Sequence, residues 1–180
     1  YSDLDISSDN LFQNGQNLST YLTQENLAKL GKPVDKDEWF MPPHIVNAYY
    51  SPSYNEIVFP AGILQPPFYN PEADDAINYG AIGGVIGHEF THGFDDRGRK
   101  YNAFGNLSNW WNKLDMQRFE KRTDRMVKQY GDYQPIKEVF VNGRLTLGEN
   151  IADLGGLTLA YHAYRISHVE DKDAPQAIDG

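Results

Sequence analysis

The chain has 180 residues, 40% of them hydrophobic and 13% aromatic, which suits one domain with a real core. Its 16 basic and 25 acidic residues leave a formal charge of -9, which repels phosphate backbones and anionic lipid, so neither nucleic acid nor a membrane surface is expected as partner. There is no cysteine, so disulfides and thiolate metal sites are excluded and any metal must be held by His, Asp or Glu.

No apolar run approaches the roughly 18 to 20 residues that span a bilayer, and the N-terminus lacks the basic-then-apolar order of a signal peptide. The chain as given is expected to be soluble. From Asn10 to Leu30 the leucines at 11, 18, 22, 27 and 30 recur at helical intervals, and Gly31 with Pro33 forms a stop signal, so one amphipathic helix is predicted. Ile45 to Tyr50 and Glu56 to Phe59, rich in β-branched and aromatic residues, flank the turn-like Ser51-Pro52-Ser53-Tyr54-Asn55 and read as a hairpin. Pro60 to Pro71 carries four prolines and must be an irregular loop, with Ile63, Leu64 and Phe68 facing inward.

Asp74 and Asp75 suit the positive N-terminal end of a helix over Ala76 to Phe94, whose Ile77, Ala81, Val85, Ile86 and Phe90 predict burial. Glycines at 80, 83, 84 and 87 in that helix imply close packing against a neighbour. After a loop from Asp95 to Leu107, Ser108 is a good N-cap for a helix with Trp111, Leu114, Phe119, Met126 and Tyr130 that ends before Gly131. Gly131 to Leu147 reads as an extended excursion. A last helix from about Gly148 to Val169 carries Ile151, Leu154, Leu157, Ala160 and Tyr161 on one side, and Glu170 to Gly180 is a polar tail. The expected organisation is a single α+β domain, mainly helical, with a small antiparallel hairpin.

The stretch that carries chemistry is His88-Glu89-Phe90-Thr91-His92. Two histidines four apart on a helix project from one face about one turn apart, so both imidazoles reach one ion, with Glu89 alongside. A zinc ion with three protein ligands keeps a fourth position for water, lowers that water's pKa towards about 7 and polarises a carbonyl. Glu89 can then take the water's proton and pass it to a leaving amine. Three fixed residues also occur by chance, so the third ligand decides the reading. Downstream, Glu149 and Asp153 are four apart in Leu147-Gly148-Glu149-Asn150-Ile151-Ala152-Asp153, so one carboxylate could bind the metal while the other accepts the free ring N–H of a ligating histidine.

The chain resembles the neprilysin family (M13) of zinc endopeptidases, gluzincins with a thermolysin-like catalytic core. The resemblance runs through Val46 to Tyr50, Ile57 to Phe68, Val85 to Asp96 and Leu147 to Gly156, about three quarters of the chain. It implies one zinc per chain held by His88, His92 and Glu149, Glu89 as general base, and Asp153 as the partner that orients a histidine. Asp95, one turn after His92, is a further orienting candidate, or with Asp96 caps the helix end or binds Arg97. The resemblance puts Asn47 and Ala48 on an edge strand that hydrogen-bonds substrate backbone, as an unpaired edge would. It also puts Ile63, Phe68 and Val85 around the pocket for the residue just after the cleaved bond, implying cleavage of short peptides before large apolar residues. Gly84 stands where the family often has a bulky residue.

Family members also carry, after the second motif, a histidine that stabilises the oxyanion and an arginine that binds substrate. This chain stops at Gly180, and the family's large helical domain is not in it. A truncated catalytic core is therefore expected, whose partners include the remaining domains of a longer parent enzyme. The alternative function is a zinc- and peptide-binding fragment with little turnover. His162 and His168 read as surface or packing residues and His44 as a turn residue. The lack of cysteine, in a family whose animal members use disulfides, implies a bacterial source, in cytoplasm or cell envelope.

Overall fold

The structure, a computed structural model, describes residues 4–168. The predicted tail, and Val169 at the end of the last predicted helix, lie outside the described residues. The chain divides into two compact units, Tyr1–Glu38 and Trp39–Gly180. In the first, helix α1 (Leu11–Leu27) starts where the Asn10 side chain accepts the Gln13 amide, and none of its residues is buried. All four of its leucines are exposed.

The second unit has the expected mainly helical α+β character. Its hairpin is shorter than predicted: β1 is Tyr49–Ser51 and β2 is Glu56–Val58, with Tyr49 opposite Val58. The ladder stops there for a chemical reason. The next partners would be Ala48 with Phe59 and Asn47 with Pro60, and proline has no N–H to give. Asn47 and Ala48 thus form a segment leading into β1 instead of lying within a strand. The proline-rich stretch contains a 3₁₀ turn, Ala61–Ile63, tied back by a 2.8 Å bond from the Gly62 amide to the Pro43 carbonyl. Ile63 is buried and Phe68 packs against it, but Leu64 is exposed, contrary to the inward direction expected of it.

The predicted helix over 76–94 is three segments: α2 (Asp75–Asn78), a π-turn (Tyr79–Gly83) and α3 (Gly84–His92). Asp74 caps it through the Ala76 amide. The π-turn has a visible cause. The Ile82 amide bonds the Phe68 carbonyl at 2.9 Å instead of a carbonyl of its own helix, while Asn78 pairs by side chain with both backbone groups of Asn70. Ile82 is thereby drawn into the core with Ala48, Ile63, Phe59, Phe68 and Val85.

Helix α4 (Lys113–Gly131) is capped by Asn112 and not by Ser108. Ser108 is held extended beside Tyr101, its amide on the Lys100 carbonyl at 2.7 Å, by the Tyr101–Leu107 bridge. The 131–147 excursion is mostly turns, with one bridge between Ile136 and Val139. Helix α5 (Leu147–Ser167) buries Leu147, Asn150, Ala152, Gly156 and Ala160.

Both central helices bury a different side from the one their large residues suggested. Ile77, Ile86, Phe90, Leu154, Leu157 and Tyr161 are exposed. The reason is the closeness of the α3–α5 crossing: a Cβ on Gly87 would lie 2.5 Å from the Gly156 carbonyl oxygen, and one on Gly156 2.5 Å from the His88 nitrogen. Only small residues fit there, so Ala152, Gly156 and Ala160, at four-residue spacing, make the contact and the leucines turn away. The glycine expectation holds at Gly87 and fails at Gly80 and Gly84, which have nothing within 4 Å of a built Cβ.

Candidate metal centre

Helix α3 presents His88 and His92 one turn apart, and the crossing brings the first two turns of α5, with Glu149 and Asp153, against them. His88 Nε2 and His92 Nε2 are 3.0 Å apart, and Glu149 Oε2 lies 3.3 Å from the first and 3.5 Å from the second. Donor atoms about 2.0 to 2.2 Å from a tetrahedral ion such as zinc stand about 3.3 Å from one another, which is the spacing of this group. His88, His92 and Glu149 are therefore a set that could hold a metal ion.

The other ring nitrogens strengthen the case. His88 Nδ1 is 2.8 Å from Asp153 Oδ1, and His92 Nδ1 is 2.7 Å from Asp95 Oδ2. A carboxylate accepts a proton-bearing nitrogen, so each Nδ1 is the N–H and each Nε2 is left with a lone pair. In the neutral form of both rings, two Nε2 lone pairs and a carboxylate oxygen then face a common point. Such a group repels itself unless a cation sits at the centre.

The two orienting carboxylates differ in setting. The Asp153 side chain is 71% exposed and the Asp95 side chain 7%. Asp95 Oδ1 also accepts the Arg97 and Gly98 amides at 2.7 and 2.6 Å, so the residue both orients His92 and caps the helix end; its partners in the Arg97 stretch are backbone groups. Burial tends to raise the Asp95 pKa, but the hydrogen bonds from His92, Gly98 and Arg97 outweigh it and hold the carboxyl below its ordinary range. For His92, the hydrogen bond to Asp95 dominates over the opposing effect of burial, and its pKa is raised.

Glu89 is buried beside this group, in the turn between the histidines. Burial pushes its pKa up and Glu149 adds to that, while His88, His92 and a backbone hydrogen bond from Tyr50 pull it down without cancelling the rise. A carboxylate near a metal site with a raised pKa is suited to take up and release a proton. Tyr50, on β1, was not picked out in the sequence, where it read only as a hairpin aromatic.

A cleft of about 480 Å³ runs past His88, Glu89, His92 and Glu149 and is walled by Asn47, Ala48, Tyr49 and Tyr50. Met41, Gly98 and Leu145, which nothing in their sequence context marked, also line it, as does Arg97, which the sequence suggested only as a partner for Asp95 or Asp96. Ile63, Phe68 and Val85 come together around an adjoining cavity of about 490 Å³ that also reaches His88, Glu89 and Asp153. Gly80 and Gly84 form part of its wall. His162 is exposed, and His168 ends α5, its ring against Tyr164 at 4.4 Å between centroids; neither is among the cleft's lining residues, and His44 lies in a turn.

Residues 47–180 match the model of Peptidase family M13. An endothelin-converting enzyme homolog of Locusta migratoria is 53% identical over 164 residues, covering 91% of this chain and 22% of that protein. Endothelin-converting enzyme 1 of Bos taurus is 49% identical over 178 residues, covering 99% and 23%. Among solved structures, the Mycobacterium tuberculosis zinc metalloprotease Zmp1 in complex with inhibitor superposes with a TM-score of 0.91 at 50% identity, over 99% of this chain and 28% of that one. PepO from Lactobacillus rhamnosis HN001 superposes with a TM-score of 0.80 at 40% identity, over 91% and 26%. The chain thus spans between 22% and 28% of the length of these relatives.

Proposed function

The chain belongs to Peptidase family M13, and from that premise we propose that its site is the catalytic centre of a zinc endopeptidase, with His88, His92 and Glu149 as ligands and Glu89 as general base. The observation that carries the reading is the convergence of the Nε2 atoms of His88 and His92 with the Glu149 carboxylate, with a buried glutamate in the same turn. Zinc bound there supplies Lewis acidity, lowering the pKa of a water and polarising a peptide carbonyl.

The chain's own residues do the rest. Glu89 accepts the proton of the attacking water on its carboxylate and delivers it to the leaving amine. Asp153 and Asp95 keep the Nδ1 protons of His88 and His92, so that both Nε2 atoms stay available. Asn47 and Ala48 offer backbone and amide groups to an extended peptide lying in the cleft. Ile63, Phe68 and Val85 receive an apolar side chain just after the scissile bond, and the cavity they line opens beside Glu89 as that role requires.

The test is zinc analysis with a peptide-cleavage assay on the wild type and Glu89→Gln. The variant should keep its zinc and lose about 10²- to 10⁴-fold in rate. Equal residual activity in the two would remove Glu89 from this role.

A further inference from the structure

The geometry points to a second binding site, independent of the metal centre, in which Arg99 and Lys100 hold a small dianionic oxyanion of the phosphate class. A recess of about 300 Å³ is lined by Arg99, Lys100, Ser108 and Asn109, with Leu107 and Met116 completing the wall. Its polar lining is two cations, a hydroxyl and an amide, with no acid among them.

Among the described residues neither Arg99 nor Lys100 forms an ion pair, in a chain whose net charge is -9. The guanidinium lies against the rings of Phe119, at 5.0 Å, and Trp111, at 5.8 Å. One of its terminal nitrogens meets only the Met116 sulfur, at 3.7 Å, a weak acceptor. Its Nε is buried without a partner, as is the Trp111 Nε1 in the same aromatic group. A guanidinium carries five donors in a planar fork, so most of this one's capacity is unspent and only ring faces offset its charge.

The surroundings favour an anion as well. From Asp95 to Lys128 the sequence holds nine basic residues and five acidic ones, a local excess of positive charge in an acidic chain. The walls are fixed: the Ser108 amide bonds the Lys100 carbonyl at 2.7 Å, the Arg99 amide bonds the Asp95 carbonyl at 3.2 Å, and Tyr101 bridges Leu107. A fork, an ammonium, a hydroxyl and an amide around a recess of this size suit a tetrahedral dianion.

Orthophosphate, sulfate and acetate are titrated into the chain at constant ionic strength balanced with chloride, following thermal unfolding and heat of binding. Orthophosphate and sulfate should raise Tm, and acetate much less. Lys100→Gln should weaken phosphate binding about tenfold, and Arg99→Gln by more, because each removes a charge-assisted contact. Arg118→Gln, the same charge change at an exposed position of α4 outside the recess, should leave binding intact. Lys100→Gln is at an exposed side chain, so it reports even if Arg99→Gln fails to fold. A shift that chloride reproduces, or one that Lys100→Gln and Arg118→Gln alter equally, would overturn the site.

Discussion

Gly87 and Gly156 meet backbone to backbone, with room for a side chain on neither. That contact sets the distance between α3 and α5, and through it the 3.3 Å from His88 Nε2 to Glu149 Oε2. The candidate metal set is thus as much a product of two glycines as of the three side chains that form it. A methyl group at position 156 must push the helices apart or strain them, at a cost of about 1 to 3 kcal/mol. Gly156→Ala should therefore lower both the stability of the metal-free chain and its zinc affinity. Gly84→Ala, in the same α3 with open space around it, should be neutral or stabilising by up to about 1 kcal/mol. Denaturant unfolding of the chelated proteins, with zinc competition against a chromogenic chelator, compares the two. Equal effects would show that the crossing is not the control.

Asp95 and Asp153 do the same task from opposite surroundings. In Asp95→Asn, the amide oxygen can still accept the Arg97 and Gly98 amides, but the NH₂ cannot accept the His92 Nδ1 proton. The ring must then change tautomer and place its proton on Nε2, where it blocks ligation. Zinc affinity should fall about 10- to 100-fold. Asp153→Asn, at a side chain 71% exposed, should fall less, because water can replace the lost acceptor. A larger loss at Asp153 would show that burial does not decide which carboxylate matters more.

The His92–Asp95 pair also makes a pH prediction. In the metal-free fold the His92 pKa is raised above 6.5, so its contribution to stability is full below that unfolded value and is lost as pH rises through the folded one. The Asp95 pKa is lowered below 3.8, so its contribution is present above that unfolded value and is lost as pH falls through the folded one. The pair should stabilise the chelated chain most between these limits, from about pH 4 to about pH 6.5. Zinc has the opposite preference at the upper end, because His92 must be neutral to ligate, so affinity should begin to fall at a pH above 6.5. Urea unfolding of chelated wild type and Asp95→Asn across this range measures the first effect. A variant profile with the same bell would refute it.

Sequence periodicity located the helices, and the spacings of His88 with His92 and of Glu149 with Asp153 singled out four residues that the fold brings together. Those features are local, so residue spacing displays them. What escaped depends on partners distant in sequence. The ladder ends at Tyr49 because Pro60 has no N–H, and the turn at Tyr79–Gly83 widens because Phe68 captures the Ile82 amide. The periodicity of α5 points to the wrong buried side because leucines outweigh alanines in any hydrophobic count, whereas a crossing this close selects for size. Tyr50 escaped because its contribution to Glu89 is a backbone hydrogen bond, which no side-chain pattern encodes.

The cavity beside Glu89 is lined by Ile63, Phe68 and Val85. Gly84 is part of its wall, and a side chain there meets nothing within 4 Å, so whatever replaces the glycine fills part of the cavity proposed to receive substrate. Gly84→Met should accordingly cut kcat/KM for peptides with Phe or Leu after the scissile bond, by about 10- to 200-fold, the worth of one or a few methylenes in an apolar pocket. Peptides with Ala at that position should be nearly unaffected. Zinc content should not change, because position 84 lies a full turn before His88 and a side chain there meets nothing within 4 Å. Comparison of the two substrate series in wild type and variant separates a shaped pocket from general damage to the site. A parallel loss on both series would mean that the cavity lined by Ile63, Phe68 and Val85 does not receive that side chain.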